Sequence, residues 1–142
     1  RDEWSGDIGC GVKYFSQDAV IKLAPAAGIQ LDETLSPAEK LKAVQKLLAE
    51  GSQAAEKIYQ SIGVYLGHSL ALYYGYYGFA QVQLQGRVMS GRGGDIILDT
   101  AKAVLADEYP EIASKFCASL PDEKARRVGQ SVAAASLPEL KK

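Results

Sequence analysis

From Ile58 to Gly86 the chain carries no Asp, Glu, Lys or Arg. No other feature restricts the fold as much. The run is long enough to span a bilayer. It is nevertheless interrupted by Gln60, Ser61, His68, Ser69, Gln81, Gln83 and Gln85, and its period changes near Gly75. A buried helix followed by a buried strand accounts for it better than a transmembrane span. Within the helical part, Gly63, Gly67, Ala71 and Gly75 recur every four residues, which stacks them along one ridge. Glycine costs a helix about 1 kcal/mol relative to alanine. The close approach of another backbone, from a second helix or the sheet, is the compensating gain this ridge predicts.

The remaining elements follow from caps and periodicity. Residues 1–15 are glycine-rich and read as irregular. Ser16 caps a helix that buries Ala19, Val20, Leu23 and Ala24; Pro25 disturbs its end and Gly28 closes it. Residues 29–35 read as a loop. Ser36-Pro37-Ala38-Glu39 is a capping box with proline at the first helical position, and the helix behind it buries Leu41, Val44, Leu47 and Leu48. Gly51 ends that helix and Ser52 caps the next, from Gln53 to about Gly75. Its expected apolar face is Ile58, Ile62, Tyr65, Leu66 and Tyr73. Phe79–Leu84 reads as a short strand with Phe79, Val82 and Leu84 inward. A helix follows from Gly94 with Asp95 in its first turn, burying Ile97, Ala101, Val104 and Leu105. Pro110 opens a short helical turn, Phe116–Leu120 is a small strand, and Asp122 caps a last helix over 123–137 that Pro138 ends.

The order is that of an α-rich α/β chain, 142 residues in a single domain. A sheet of one or two strands does not stand alone easily, so further strands are expected from a part of the protein outside this chain. A formal net charge of −1 offers no basic surface for nucleic acid and no acidic tail. The N-terminus RDEWSGD lacks the apolar core of a signal peptide, and also lacks a starting methionine, as in a cleaved or truncated chain. Two cysteines, Cys10 and Cys117, and one histidine, His68, are too few for a disulfide scaffold or a zinc site. Reduced cysteines and a cytoplasmic location are expected.

The segment GRVMSGRGGD, residues 86–95, holds four glycines and two arginines between a strand and a helix. Such a junction presents free amides and the positive end of a helix dipole, a common way to hold an anionic or nucleotide ligand. Gly86, Gly91, Gly93 and Gly94 would admit a ligand close to the backbone; Arg87 and Arg92 supply charge or a stacking plane, and Ser90 a hydroxyl. The spacing matches neither a P-loop nor the dinucleotide fingerprint. A long turn whose glycines merely satisfy backbone geometry stands beside the ligand-binding alternative.

LQGRVMSGRGGDIILDTAKAVL (84–105) resembles the adenosine-loop segment of the actin-like ATPase superfamily, and more narrowly of the ROK (repressor/ORF/sugar kinase) family. GCGVKYFSQDAVIKLA (9–24) is similar to that family's Gly-Cys-Leu-Glu-Ala-Tyr-Ala-Ser stretch and following helix. SQAAEKIYQSIGVYLGHSLALYYG (52–75) resembles its long helix, and RVGQSVAAASL (127–137) its closing Gly-Ala-Ala helix. The four segments stand in the family's order and span almost the whole chain. The resemblance implies a partial actin-like ATPase (ribonuclease H-like) lobe, the C-terminal half of a two-lobed sugar-kinase-like fold. It implies ATP or ADP as ligand, held at Gly86, Arg87, Ser90, Gly91, Gly93 and Gly94.

The departures from the family are specific. Val12 stands where the family has a sugar-contacting glutamate, and valine accepts no hydrogen bond. Cys10 matches the last cysteine of the family's zinc cluster without its companions, so no zinc is expected. Gly86-Arg87 replaces a glycine pair. The first lobe, with the family's phosphate-binding Asp-Gly motif and catalytic aspartate, is absent, so this chain alone is not expected to transfer phosphate. Its expected partners are an adenosine nucleotide and that first lobe, with no membrane. The alternative is a non-catalytic regulator module, a homodimer whose face is the glycine ridge and the tyrosines.

Other residues take plainer roles. His68 reads as a structural hydrogen-bonding group, and Cys117 as a small buried residue. Tyr73, Tyr74, Tyr76 and Tyr77 suit a pocket or oligomer face, with core and helix-end packing preferred. Asp95 serves the helix dipole. Asp32, Glu33, Asp107 and Glu108 read as solvated charge.

Overall fold

The computed structural model describes residues 1–121. The helix expected over 123–137, and with it the segment 127–137, lies outside the described residues. What is described is α-rich, with a small parallel sheet: α1 (Val12–Phe15), α2 (Gln17–Leu23), α3 (Pro37–Ala49), α4 (Gln53–Tyr77), β1 (Gln81–Gln83), α5 (Arg92–Glu108), α6 (Pro110–Ala113) and β2 (Cys117–Ser119). A 3₁₀ turn, Arg87–Met89, links β1 to α5.

Local chemistry sets most of the boundaries. The capping box forms as expected: the Glu39 amide donates to Ser36 Oγ, and the Ser36 amide donates to Glu39 Oε2 at 2.8 Å. Ser16 and Ser52 cap α2 and α4 through their side chains. Gly78, in the left-handed region at φ 57°, ends α4 two residues beyond the expected stop. Residues 12–15, expected to be irregular, make one helical turn because the Tyr14 and Phe15 amides both find the Gly11 carbonyl. The helix expected from Gly94 begins at Arg92, so Gly93 and Gly94 belong to its first turn.

The core is built on α4, whose 25 residues run about 37 Å. The ridge prediction holds over two turns. A Cβ added at Gly63 would lie 2.6 Å from Thr100 Cβ and 2.8 Å from the Ile97 carbonyl oxygen. One added at Gly67 would lie 2.7 Å from Val104 Cβ. The partner that approaches is therefore α5. Ala71 is buried, but among the described residues nothing lies within 4 Å of such an atom at Gly75, so the ridge outruns α5.

The other face of α4 departs from expectation. Ile58, Ile62 and Leu66 are buried, joined by Tyr59 and Leu70; Tyr65 and Tyr73 are exposed. α4 is apolar nearly all round, so periodicity alone does not say which arc its neighbours take. Once α5 occupies the glycine side, the arc holding Tyr65 is left outermost. Leu41, Val44 and Leu48 are buried on α3, with Leu47 only half-buried.

β1 and β2 pair in parallel, Val82 opposite Ala118, with α5 as the crossover between them. Ala118 faces inward and packs into the core; Cys117 and Ser119 face out. This corrects the buried placement expected for Cys117, because a period of two puts neighbours on opposite faces. Both cysteines are free. Tyr74, Phe79 and Phe116 close the end of α4 over the sheet, with ring centroids 4.9–5.6 Å apart. Tyr76 and Tyr77 do not join them and stand exposed, against the packing expected of the tyrosine cluster. Among the described residues no helix is long and apolar enough to cross a membrane.

Candidate functional site

Two segments far apart in sequence meet across one cleft of about 490 Å³. One wall is the end of α1 and start of α2: Val12, Phe15, Ser16, Gln17 and Asp18. The other is Gln85, Gly86, Arg87 and Val88, just past β1. Gly86 sits at φ 120°, ψ 167°, a region that side-chain-bearing residues rarely enter. None of the described residues lies within 4 Å of where its side chain would be, so its backbone faces open space among them. The turn that follows is anchored from inside: Val88 and Met89 are buried, and Gln45 Nε2 donates to the Arg87 carbonyl at 3.0 Å.

The six residues expected to hold a ligand divide into two groups. Gly86, Arg87, Ser90 and Gly91 are exposed, and the first two line the cleft. Gly93 and Gly94 are buried. A Cβ on Gly93 would collide with the Tyr59 ring, and one on Gly94 with the Met89 carbonyl. Their missing side chains let α5 close on α4 and on the preceding turn. The expectation that the whole run from Gly86 to Gly94 lies bare beneath a ligand is corrected for these two positions. Arg92 Nη2 pairs with Glu56 Oε2 on α4 at 2.9 Å, which ties the start of α5 down.

The charge on the opposite wall is also committed internally. Lys13 Nζ lies 2.8 Å from Asp18 Oδ2 and also pairs with Glu3. Asp18 first, then Glu3, hold the Lys13 ammonium well above its ordinary range. Arg87 is thus the cation on the cleft wall whose guanidinium makes no ion pair among the described residues. Between it and Asp18 lie Ser16, Gln17 and Gln85 as neutral hydrogen-bonding groups, with Phe15 and Val12 as apolar surface. The volume falls within the few hundred to about 1,000 Å³ usual for a small-molecule site.

Sequence reasoning missed Tyr59. It is 0% exposed, its hydroxyl has no hydrogen-bond partner among the described residues, and burial pushes its pKa up to about 12. Its ring packs against Gly93 of α5, and the signal was its place on the ridge of α4, four residues before Gly63. His68 takes a structural role, its Nδ1 3.0 Å from the Tyr109 hydroxyl, although it sits on the exposed side of α4. No group of three or more His, Cys, Asp or Glu that could hold a metal occurs among the described residues. No family model, curated protein or solved structure matches the chain.

Proposed function

We propose that the chain is the nucleotide-binding lobe of a sugar-kinase-like protein of the ROK, actin-like ATPase type, holding an adenosine nucleotide in the cleft between Phe15 and Arg87. The observation that carries this reading is the cleft itself. It joins Val12, where the resembled family places its sugar contact, to Gly86 and Arg87, where that family places its nucleotide loop. The chemistry suits the ligand. Phe15 offers a surface for a base, Gln17 and Asp18 accept from ribose hydroxyls, and the open Gly86 backbone receives a phosphate with Arg87, which has no ion pair among the described residues. A bound nucleotide would bring the phosphoryl group. This lobe supplies binding and orientation, and phosphoryl transfer awaits the family's other lobe.

The test is a titration of the isotope-labelled chain with ADP and, separately, adenosine, followed by backbone amide shifts. The expected result is movement centred on Gly86, Arg87 and Gln17, with a dissociation constant on the order of 0.1–1 mM for one open lobe. Arg87→Glu should weaken ADP binding about tenfold and adenosine binding far less, since only ADP loses a charge-assisted contact. No shift at Gly86 or Arg87 at millimolar ADP would remove the reading.

A further inference from the structure

The glycine ridge is closed to a second copy of the chain. α5 already covers Gly63 and Gly67, so the dimer expected through that ridge is corrected. An open site of a different kind lies where α2 passes the start of α3. A pocket of about 340 Å³ is lined there by Ile21, Pro37 and six charged side chains, four cations and two carboxylates. The chain as a whole carries a formal net charge of −1, so this positive excess is local.

The six charges do not neutralise one another evenly. Glu3 and Asp18 both pair with Lys13, whose side chain is only 11% exposed. That leaves Arg1, Lys22 and Lys40, none of which forms an ion pair among the described residues. Arg1 donates its Nε–H to the Gly6 carbonyl. Lys40 is half-buried, and the carboxylate it acts on, Asp32, already accepts from the Thr34 hydroxyl and amide. Cations gathered on one concave surface focus their field and draw in an anion. The α3 terminus adds little, because its capping box already engages Ser36 and Glu39. The side-chain cations carry the site.

The pocket has an apolar continuation. Ile21 and Lys40 also line a neighbouring groove of about 400 Å³, with Pro25, Ile29, Leu31 and Glu33. Glu33 repels an anion from that end, so a ligand's charge belongs beside Lys22 and its carbon body past Lys40. We propose that this joined pocket binds a small organic phosphate monoester with an unbranched apolar body. A phosphate monoester brings about 1.5 to 2 negative charges at pH 7 and three acceptor oxygens, enough for several cationic donors at once. The proposal does not depend on the nucleotide reading: the two sites share Asp18 alone, and Arg87 lines only the other cleft.

Hexyl phosphate is the probe. Titrated into the isotope-labelled chain, it should move the backbone amides of Ile21, Lys22, Ile29 and Lys40, with a dissociation constant on the order of 0.1–1 mM. Each methylene the groove buries strengthens binding about fourfold, so inorganic phosphate should bind at least about tenfold more weakly. Lys22→Glu and Lys40→Glu should each weaken hexyl phosphate about tenfold with the circular dichroism spectrum unchanged, Lys22 being exposed and free of structural contacts among the described residues. Arg87→Glu should leave this binding as it is. Phosphatidylcholine vesicles containing phosphatidic acid should not sediment with the chain. Four results would each overturn the proposal: equal affinity for the two phosphates, indifference to both lysine variants, loss of binding in Arg87→Glu, or vesicle binding that Lys22→Glu abolishes. The last would assign these cations to a membrane headgroup instead.

Discussion

Alanine should have opposite effects at two glycines of α4. On propensity alone, Gly→Ala inside a helix gains roughly 0.8–1 kcal/mol wherever the new methyl has room. Gly75 has room, with none of the described residues within 4 Å of the added atom, so Gly75→Ala should stabilise the protein by about that amount. At Gly63 the methyl would lie 2.6 Å from Thr100 Cβ and 2.8 Å from the Ile97 carbonyl oxygen. Carbon atoms in contact settle about 3.5–4 Å apart, so relief requires α5 to move by roughly 1 Å. The Ile97 oxygen belongs to the backbone, and no rotamer change takes it out of the way. Overpacking of this kind costs about 1–3 kcal/mol, with the alanine gain already inside the measured difference. A net loss of about 1–2 kcal/mol is therefore expected for Gly63→Ala, and a similar loss for Gly67→Ala, where Val104 is the obstacle. In a domain of this size that is a fall of roughly 3–6 °C in melting temperature, against a rise of roughly 2–4 °C for Gly75→Ala. Urea unfolding followed by circular dichroism, at a concentration where the chain is monomeric, measures all three. Stabilisation at Gly63 as large as at Gly75 would refute the argument that the ridge exists for close helix packing.

The other expectations follow from single groups. Tyr59→Phe removes a buried hydroxyl that has no partner among the described residues, and urea unfolding at pH 7 should show a gain of about 1 kcal/mol. The raised Tyr59 pKa means the unfolded chain ionises first as pH climbs. Wild type should lose stability from pH 10 towards about 12, and Tyr59→Phe should lose less over the same window. Glu39 behaves in the opposite sense. The Ser36 hydroxyl first, then its backbone amide, hold the Glu39 carboxyl below its ordinary 4.5, so its contribution is present above that pH and lost as pH falls through the folded value. The stability gap between wild type and Glu39→Gln should accordingly shrink below about pH 4.5; a gap that does not change with pH would count against the capping box as its source.

Short-range chemistry was legible in the order of residues. A serine three positions before a glutamate, with proline between, could only begin a helix. Glycines at every fourth residue signalled a close approach that α5 makes at Gly63 and Gly67 but not at Gly75, and the charge-free run from Ile58 to Gly86 divides into a helix and a short strand that is largely exposed rather than buried. These features depend on neighbours within one or two turns, which the sequence specifies directly. What tertiary structure decided was which of several equivalent surfaces is used. α4 carries apolar residues well beyond a single face, and the arrival of α5 on its glycine side left Tyr65, Leu72 and Tyr76 exposed. Gly86 and Gly94 look alike in a string of residues. One faces an open cleft, and the other is closed over by Met89, because the 3₁₀ turn between them folds inward on Val88. The cleft shared by Val12 and Arg87 had no local signal, since burial and proximity between distant segments are properties of packing.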